Sequence, residues 1–383
     1  MKMSFIAEAL DLTLSSARRL KERKVLRKAW IDHPFFPDIE QAYCLSKKFG
    51  KYEEGTLAAQ INNEPVIVRG FPKIRRALTL YPTIKKRFKG EIAVEEKMNG
   101  YNVRIVKFGD NLYAVTRRGL VCPYSTEKAR EKMNPDFFAD NPQLMLCCEG
   151  VGEESPFVPK KIYGHSELEF YVFDIRNRGT NTALPVNKKE ELAEEYNLNL
   201  VPLLGRMESR EAHEEVKDIV IGLGKEGREG VVIKDPEMKR SPLKYTSSQS
   251  TCADLKYAFR YFNEYGKDYM FSRIIREAFQ SFEFEESEEE LEERCLRLGE
   301  AILKPVIESI RDVHHNRRVV EMNYPRFSNT DVLELFKEHL QRMGVEARFE
   351  DVTPQNEHYI LHLERRMKST TDKIDDILKG NVW

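Results

Sequence analysis

Apolar and polar residues alternate in short runs through the middle of this chain. Residues 91–97, 102–108, 112–116, 169–175 and 230–234 follow the period of two that sends successive side chains to opposite faces of a strand. Turn residues separate these runs, so the pattern predicts antiparallel sheets with helices between them. A further Val/Ile run starts at Glu64 and leads into Arg69-Gly70-Phe71-Pro72.

Upstream, residues 3–28 read as one helix, rich in Arg and Lys toward its end. Beyond Lys244 the period changes. Leu255, Ala258, Phe259 and Phe262, then Ile274, Ile275, Ala278, Phe279 and Phe282, recur at the three- and four-residue spacing of a helix face. The acidic run at 283–293 suits a helix start, where carboxylates oppose the positive end of the dipole. Leu291, Cys295, Leu298 and Ile302 then share a face until Pro305, which is expected to interrupt that helix. The last stretch predicts a strand at 318–322, a helix at 329–343 closed by Gly344, and strands at 347–351 and 359–363. The whole reads as α+β in four parts: an amino-terminal module (1–65), an antiparallel-sheet core (66–247), a helical domain (248–312) and a small carboxy-terminal α/β module (313–383).

Composition narrows this only modestly. A chain of 383 residues with 41% hydrophobic and 33% charged residues is a multidomain globular protein. It holds no apolar run long enough to span a bilayer and no secretory leader pattern, which leads to the expectation of a cytoplasmic protein without a membrane partner. Net charge is −1, with 62 Lys and Arg against 63 Asp and Glu, so any nucleic-acid binding must use local basic clusters. Six cysteines include no Cys-x-x-Cys pair, and the expectation is reduced, mostly buried thiols. His358 and His362 are four apart, but their surroundings read as a strand rather than a helical metal site.

Candidate chemistry begins at Lys97, which ends an alternating strand just before Asn99-Gly100. The dipeptide predicts a hairpin turn, with the lysine at the rim of the sheet. Alone, a lysine in that setting is ordinary solvated surface. The segments downstream of it change its weight: Arg104, then Arg117-Arg118-Gly119, Glu149-Gly150, Phe170-Tyr171-Val172-Phe173-Asp174, Glu229-Gly230-Val231-Val232-Ile233-Lys234 and Leu243-Lys244-Tyr245.

In this order the segments resemble the motifs of the covalent nucleotidyltransferases, the superfamily of DNA ligases, RNA ligases and messenger-RNA capping enzymes. The match spans about residues 95–246. Two positions depart from the usual pattern: Asn99 stands where relatives carry Asp, and Thr246 where many carry a second lysine. Helices rather than a β-barrel follow the last motif, which disfavours DNA ligases and capping enzymes. Over its length the chain resembles the homodimeric archaeal ATP-dependent RNA ligases, whose fold is an ATP-grasp-like antiparallel core with a helical dimerisation domain.

The resemblance implies a lysine–AMP intermediate on Lys97, transfer of AMP to an RNA 5′-phosphate, and sealing by a 3′-hydroxyl. ATP and Mg²⁺ (or Mn²⁺) are the implied cofactors, and single-stranded RNA and a second copy of the chain the implied partners. It also implies roles. Lys234 and Lys244 would hold the α-phosphate, where charge builds up in the transition state. Together with a divalent metal they would disfavour protonation of Lys97. Phe173 would stack on adenine, Glu149 would bind ribose, Arg104 and Arg117 would line the sugar and phosphate, Asn99 would shape the turn, and Glu229 would place the metal. Glu95 shares the face of Lys97 and would read the adenine amino group, although Glu96 is the neighbouring candidate. Lys73 would meet pyrophosphate. A DNA ligase, another polynucleotide 5′-adenylyltransferase and a non-catalytic RNA-binding protein on the same scaffold are the alternatives.

Overall fold

The computed structural model describes residues 3–382. The chain opens with helices α1 (Ser4–Ala9) and α2 (Leu14–Glu22), then strands β1 (Leu26–Lys28), β2 (Ile39–Leu45), β3 (Leu57–Ile61) and β4 (Glu64–Val68), each strand pairing with the next. The single helix expected over 3–28 is thus corrected to two helices and a strand. Asp11 turns the backbone into the left-handed region at a φ of 46°, the Thr13 hydroxyl accepts from the Ser16 N–H to cap α2, and Lys24 at a φ of 54° comes just after its end.

The central region continues as β5 (Arg75–Arg76), α3 (Tyr81–Arg87), β6 (Glu91–Glu96), β7 (Tyr101–Phe108), β8 (Asn111–Thr116), α4 (Pro123–Lys132), α5 (Pro135–Asp140), β9 (Leu144–Val151), β10 (Glu169–Asn177), α6 (Val186–Glu195), β11 (Leu203–Glu208), α7 (Ala212–Lys225), β12 (Gly230–Lys234) and β13 (Leu243–Thr246). It builds two sheets, ordered β10-β9-β7-β8 and β11-β6-β12-β13-β5, antiparallel except for the β13–β5 pair. The Asn99-Gly100 hairpin is corrected here, because β6 and β7 do not pair and lie in different sheets. Neither residue takes the positive φ of a tight hairpin turn. Lys97 therefore stands where the chain crosses from one sheet to the other.

Both faces of the β7–β10 sheet are covered, as the strand period dictates. Val103, Ile105 and Cys148 face a core that includes α4, α5 and residues near the carboxy terminus, while Val106, Phe108 and Cys147 face the amino-terminal sheet. The second sheet packs Ile92, Val94, Val231 and Ile233 against α3 and α7.

Three helices come next: α8 (Ser248–Arg260), α9 (Lys267–Glu283) and α10 (Glu288–His314), the last opened by a Ser287–Glu290 capping box. The expected interruption at Pro305 is also corrected, since α10 runs through it. A proline inside a helix costs about 3 kcal/mol. Here the Ser309 hydroxyl donates to the Pro305 carbonyl at 3.1 Å, and Arg260 of α8 grips both Ser309 and Asp312. Packing on α8 outweighs the lost hydrogen bond. The outer faces of α9 and α10 leave Phe271, Phe279, Phe282, Leu296 and Leu303 exposed.

The chain closes with β14 (Val320–Asn323), β15 (Arg326–Phe327), α11 (Thr330–Arg342), β16 (Ala347–Gln355), β17 (His358–Arg366) and α12 (Lys368–Leu378), the strands forming one antiparallel sheet around β17. Helix α12 lies beyond the last element expected from the sequence; Met367 at its start and Ile374 within it pack with Tyr261 and Val313. His358 and His362 do lie on one strand, beside Ser328 and Thr353 respectively. All six cysteines are free, and only Cys295 is exposed. Among the described residues no helix is long and apolar enough to cross a membrane.

Candidate active site

The cleft between the two central sheets is assembled by backbone register. Glu96 pairs with Val231 across β6 and β12, and the Lys97 N–H continues that ladder to the Gly230 carbonyl at 2.8 Å. This sets Glu229 beside the lysine, with Nζ to Oε2 at 2.6 Å and both side chains still partly accessible. Gly230 is required by the geometry: its φ is 140°, and a Cβ there would meet the Tyr245 carbonyl oxygen at 2.3 Å.

On the other side, Gly100 lies so close to Gly150 that a Cβ would sit 2.2 Å from the Gly150 oxygen. That approach lets the Gly100 N–H donate to Glu149 Oε1 at 3.2 Å, while the Asn99 N–H donates to the Tyr163 hydroxyl at 2.6 Å. Burial pushes the Glu149 carboxyl up to about 7; Lys97 pulls it down and the nearby Glu229 adds to the rise. Glu149 and Glu229 thus both face one lysine.

A cavity of about 460 Å³ opens from this point, a size suited to a nucleotide. Phe71, Phe173, Val201 and Val232 form its apolar walls, and the two phenylalanine rings meet edge to face at 5.0 Å. Glu95, Lys97, Arg117, Glu149, Lys234 and Lys244 also line it, as does Lys73. Arg117 lies with its guanidinium 5.7 Å from the Phe71 ring centre, and burial lowers its pKa.

Two expectations change. Arg104 does not reach the cavity. It is fully buried one step deeper on β7, donating to the carbonyls of Arg69, Gly55 and Thr116, and so ties the amino-terminal module to the sheet. Asn102, on the same face two residues earlier, lines the cavity instead, and its Oδ1 is buried without a hydrogen-bond partner among the described residues. The period of two could have singled it out.

Lys234 is not an available cation. Its ammonium is 2.7 Å from Glu95 and 2.8 Å from Asp174, all three side chains being 2–3% exposed. Although burial opposes it, these two anions raise its pKa. Lys189, from α6, adds a second contact to Glu95 at 2.6 Å, and Arg176 one to Asp174 at 2.8 Å. Nothing in the sequence pointed to Lys189, because α6 is remote from every motif. Glu95 is the inward acid, while Glu96 pairs with Arg228 at 2.9 Å. Asn99 serves the crossing through its backbone.

Lys244, by contrast, has no ion pair among the described residues, and burial together with Arg76 and Lys97 pushes it down to about 8. It is a cation that remains available beside Lys97. Among the described residues no group of three or more His, Cys, Asp or Glu could by itself hold a metal. The Glu149 and Glu229 oxygens do suit a hard divalent ion that takes its other ligands from phosphate and water.

Comparison with known proteins agrees with this architecture. The RNA ligase family model matches residues 90–246, and the model of the ligase Pab1020 C-terminal region matches residues 257–381. An uncharacterized protein of Methanocaldococcus jannaschii is 39% identical over 386 residues, covering 99% of this chain and 96% of that protein. Two solved forms of an archaeal ATP-dependent RNA ligase superpose with a TM-score of 0.92 at 39% identity, over 100% of both chains. A structure from Aquifex aeolicus, 24% identical, shares the fold over 97% of this chain and 100% of its own, with a TM-score of 0.88. By sequence, fold and full-length coverage, this chain belongs to the archaeal ATP-dependent RNA ligases.

Proposed function

We propose that the enzyme joins a 5′-phosphate and a 3′-hydroxyl RNA end through a covalent AMP on Lys97. The observation that carries this reading is the position of the Lys97 amine at the sheet crossing, between a carboxylate and a cation, at the mouth of a nucleotide-sized cavity. Lys97 Nζ attacks the α-phosphorus of ATP, a P–N bond forms, the bond to the β-phosphate oxygen breaks, and pyrophosphate leaves. Attack requires the free amine, and Glu229, at 2.6 Å, is the base nearest to take its proton. Lys244 stabilises the charge that gathers on the equatorial oxygens.

Phe173 and Phe71 flank the adenine, Glu95 accepts from its amino group, Glu149 and Asn102 bind the ribose, and Arg117 meets sugar and phosphate. Lys234 acts through Glu95, holding it in place. Lys73 faces the departing pyrophosphate. A divalent ion held by Glu149 and Glu229 would neutralise phosphate charge. The AMP then passes to the RNA 5′-phosphate, and the 3′-hydroxyl displaces it to form the phosphodiester. The exposed apolar face of α9 and α10 is our proposed dimer contact, and segments 1–65, 66–247, 248–312 and 313–383 are proposed as the domains.

Incubation with ATP and Mg²⁺ of single-stranded RNA bearing 5′-phosphate or 5′-hydroxyl ends tests the end chemistry. The phosphorylated RNA is joined and the hydroxylated RNA is not; joining of both, or of neither, would refute it.

A further inference from the structure

Thr246 ends β13 two residues after Lys244, and the structure brings cations to that point. Strand β5 runs parallel to β13 with Arg76 opposite Lys244, and Arg76 Nη1 donates to the Thr246 hydroxyl at 2.7 Å. Helix α9 lies across the same edge, where Gln280 Nε2 donates to the Thr246 carbonyl at 3.0 Å. One turn earlier on α9 comes Arg276, which with Thr246 lines a narrow cleft between helix and sheet.

The three arginines here differ in their partners. Arg273 is satisfied by Asp254 at 2.7 Å and lies 3.3 Å from the Tyr269 ring centre. Arg76 reaches a neutral hydroxyl and, among the described residues, no carboxylate within ion-pairing distance. Arg276 makes no hydrogen bond or ion pair among the described residues, though it is only partly exposed. The nearby acids are engaged elsewhere, Asp254 with Arg273 and Glu277 with Arg294 and Ser248. Burial and the charges of Arg76 and Arg273 beside it push Arg276 down to about 10, and Arg76 likewise depresses Lys244. Partly buried like charges without counter-ions cost free energy that an anion recovers.

We propose that Arg76 and Arg276 form a phosphate subsite at the edge of the sheet beside Lys244, so that the helical segment supplies a further cation to the reaction centre. Its ligand is a phosphate oxyanion, either the β,γ-phosphates of ATP or the 5′-phosphate of the RNA end. Arginine suits this task because its planar fork can grip two oxygens at once. The proposal rests on Lys97 as the AMP acceptor.

Arg276 is the residue to change, since it holds no other element in place. Full-length Arg276→Ala and Arg276→Lys are compared with wild type in two arms. In the first, ATP dependence of adduct formation and its reversal by inorganic pyrophosphate are measured. In the second, isolated adduct is given 5′-phosphorylated RNA and AMP transfer is timed. Loss of about tenfold or more with Ala, largely restored by Lys, supports the subsite. Loss in the first arm assigns the ATP tail, and loss in the second assigns the RNA end. Rates within about twofold of wild type in both arms overturn the subsite. If the Ala variant melts early, Arg276→Gln against Arg276→Lys decides: equal rates overturn it, and a slower Gln variant supports it. Absence of any adduct in wild type would overturn the Lys97 reading, and this inference with it.

Discussion

Replacing Lys234 with methionine isolates the buried charge network behind the cavity. Methionine keeps much of the length of the side chain and removes the ammonium that sits 2.7 Å from Glu95 and 2.8 Å from Asp174. Removing one partner of a buried pair costs about 3–5 kcal/mol, because the remaining charge is stranded. Here Lys189 still holds Glu95 and Arg176 still holds Asp174, so the loss falls at the low end, about 3 kcal/mol. For a cooperative unit of roughly 150–250 residues this lowers Tm by about 6–12 °C. Differential scanning calorimetry at neutral pH reads the shift. Adding Glu95→Gln takes from the buried Lys189 its anion in turn, so the double variant melts lower still. A Lys234→Met protein that melts within about 1 °C of wild type would refute the reasoning.

Two further predictions concern pH. Lys244 has a folded pKa of about 8, below its ordinary 10.5, so between these values the native state binds fewer protons than the unfolded chain and stability rises with pH. Lys244→Met flattens that rise and stabilises the protein at pH 7 by about 1–2 kcal/mol after screening, while AMP transfer to Lys97 falls at least tenfold; chemical denaturation and an adenylylation assay check the two halves. Glu127, remote from the cavity and pushed up to about 7 mainly by burial, has the opposite sign: the native state keeps a proton that the unfolded chain releases, and stability falls between pH 4.5 and 7. Glu127→Gln therefore gains about 1–2 kcal/mol at pH 8 and little at pH 4.5, seen in urea titrations at the two pH values.

The strands around the site were readable because alternation reports which face is buried, and both faces of these sheets are covered by structure. Gly230–Lys234 and the start of the β6 strand came out as expected for that reason. What alternation cannot report is which strands pair. The Asn99-Gly100 crossing therefore looked like a hairpin, although it links two sheets. Arg104 and Asn102 share a strand face, and only the depth of the amino-terminal loops decides that Asn102 meets the cavity and Arg104 does not. Lys189 reaches the site region from a helix with no motif of its own, which no local pattern announces. Pro305 lies inside a helix because Arg260, distant in sequence, fastens the turns that follow it to α8.

The central claim is that the Lys97 amine itself carries AMP. Wild-type protein incubated with ATP and Mg²⁺, digested and mapped by mass spectrometry, should show the mass of one AMP on the peptide containing Lys97, bound through an acid-labile linkage, and Lys97→Ala should show none while melting close to wild type. An adduct of undiminished yield in Lys97→Ala, or one mapped to another residue in the wild-type protein, would contradict the account.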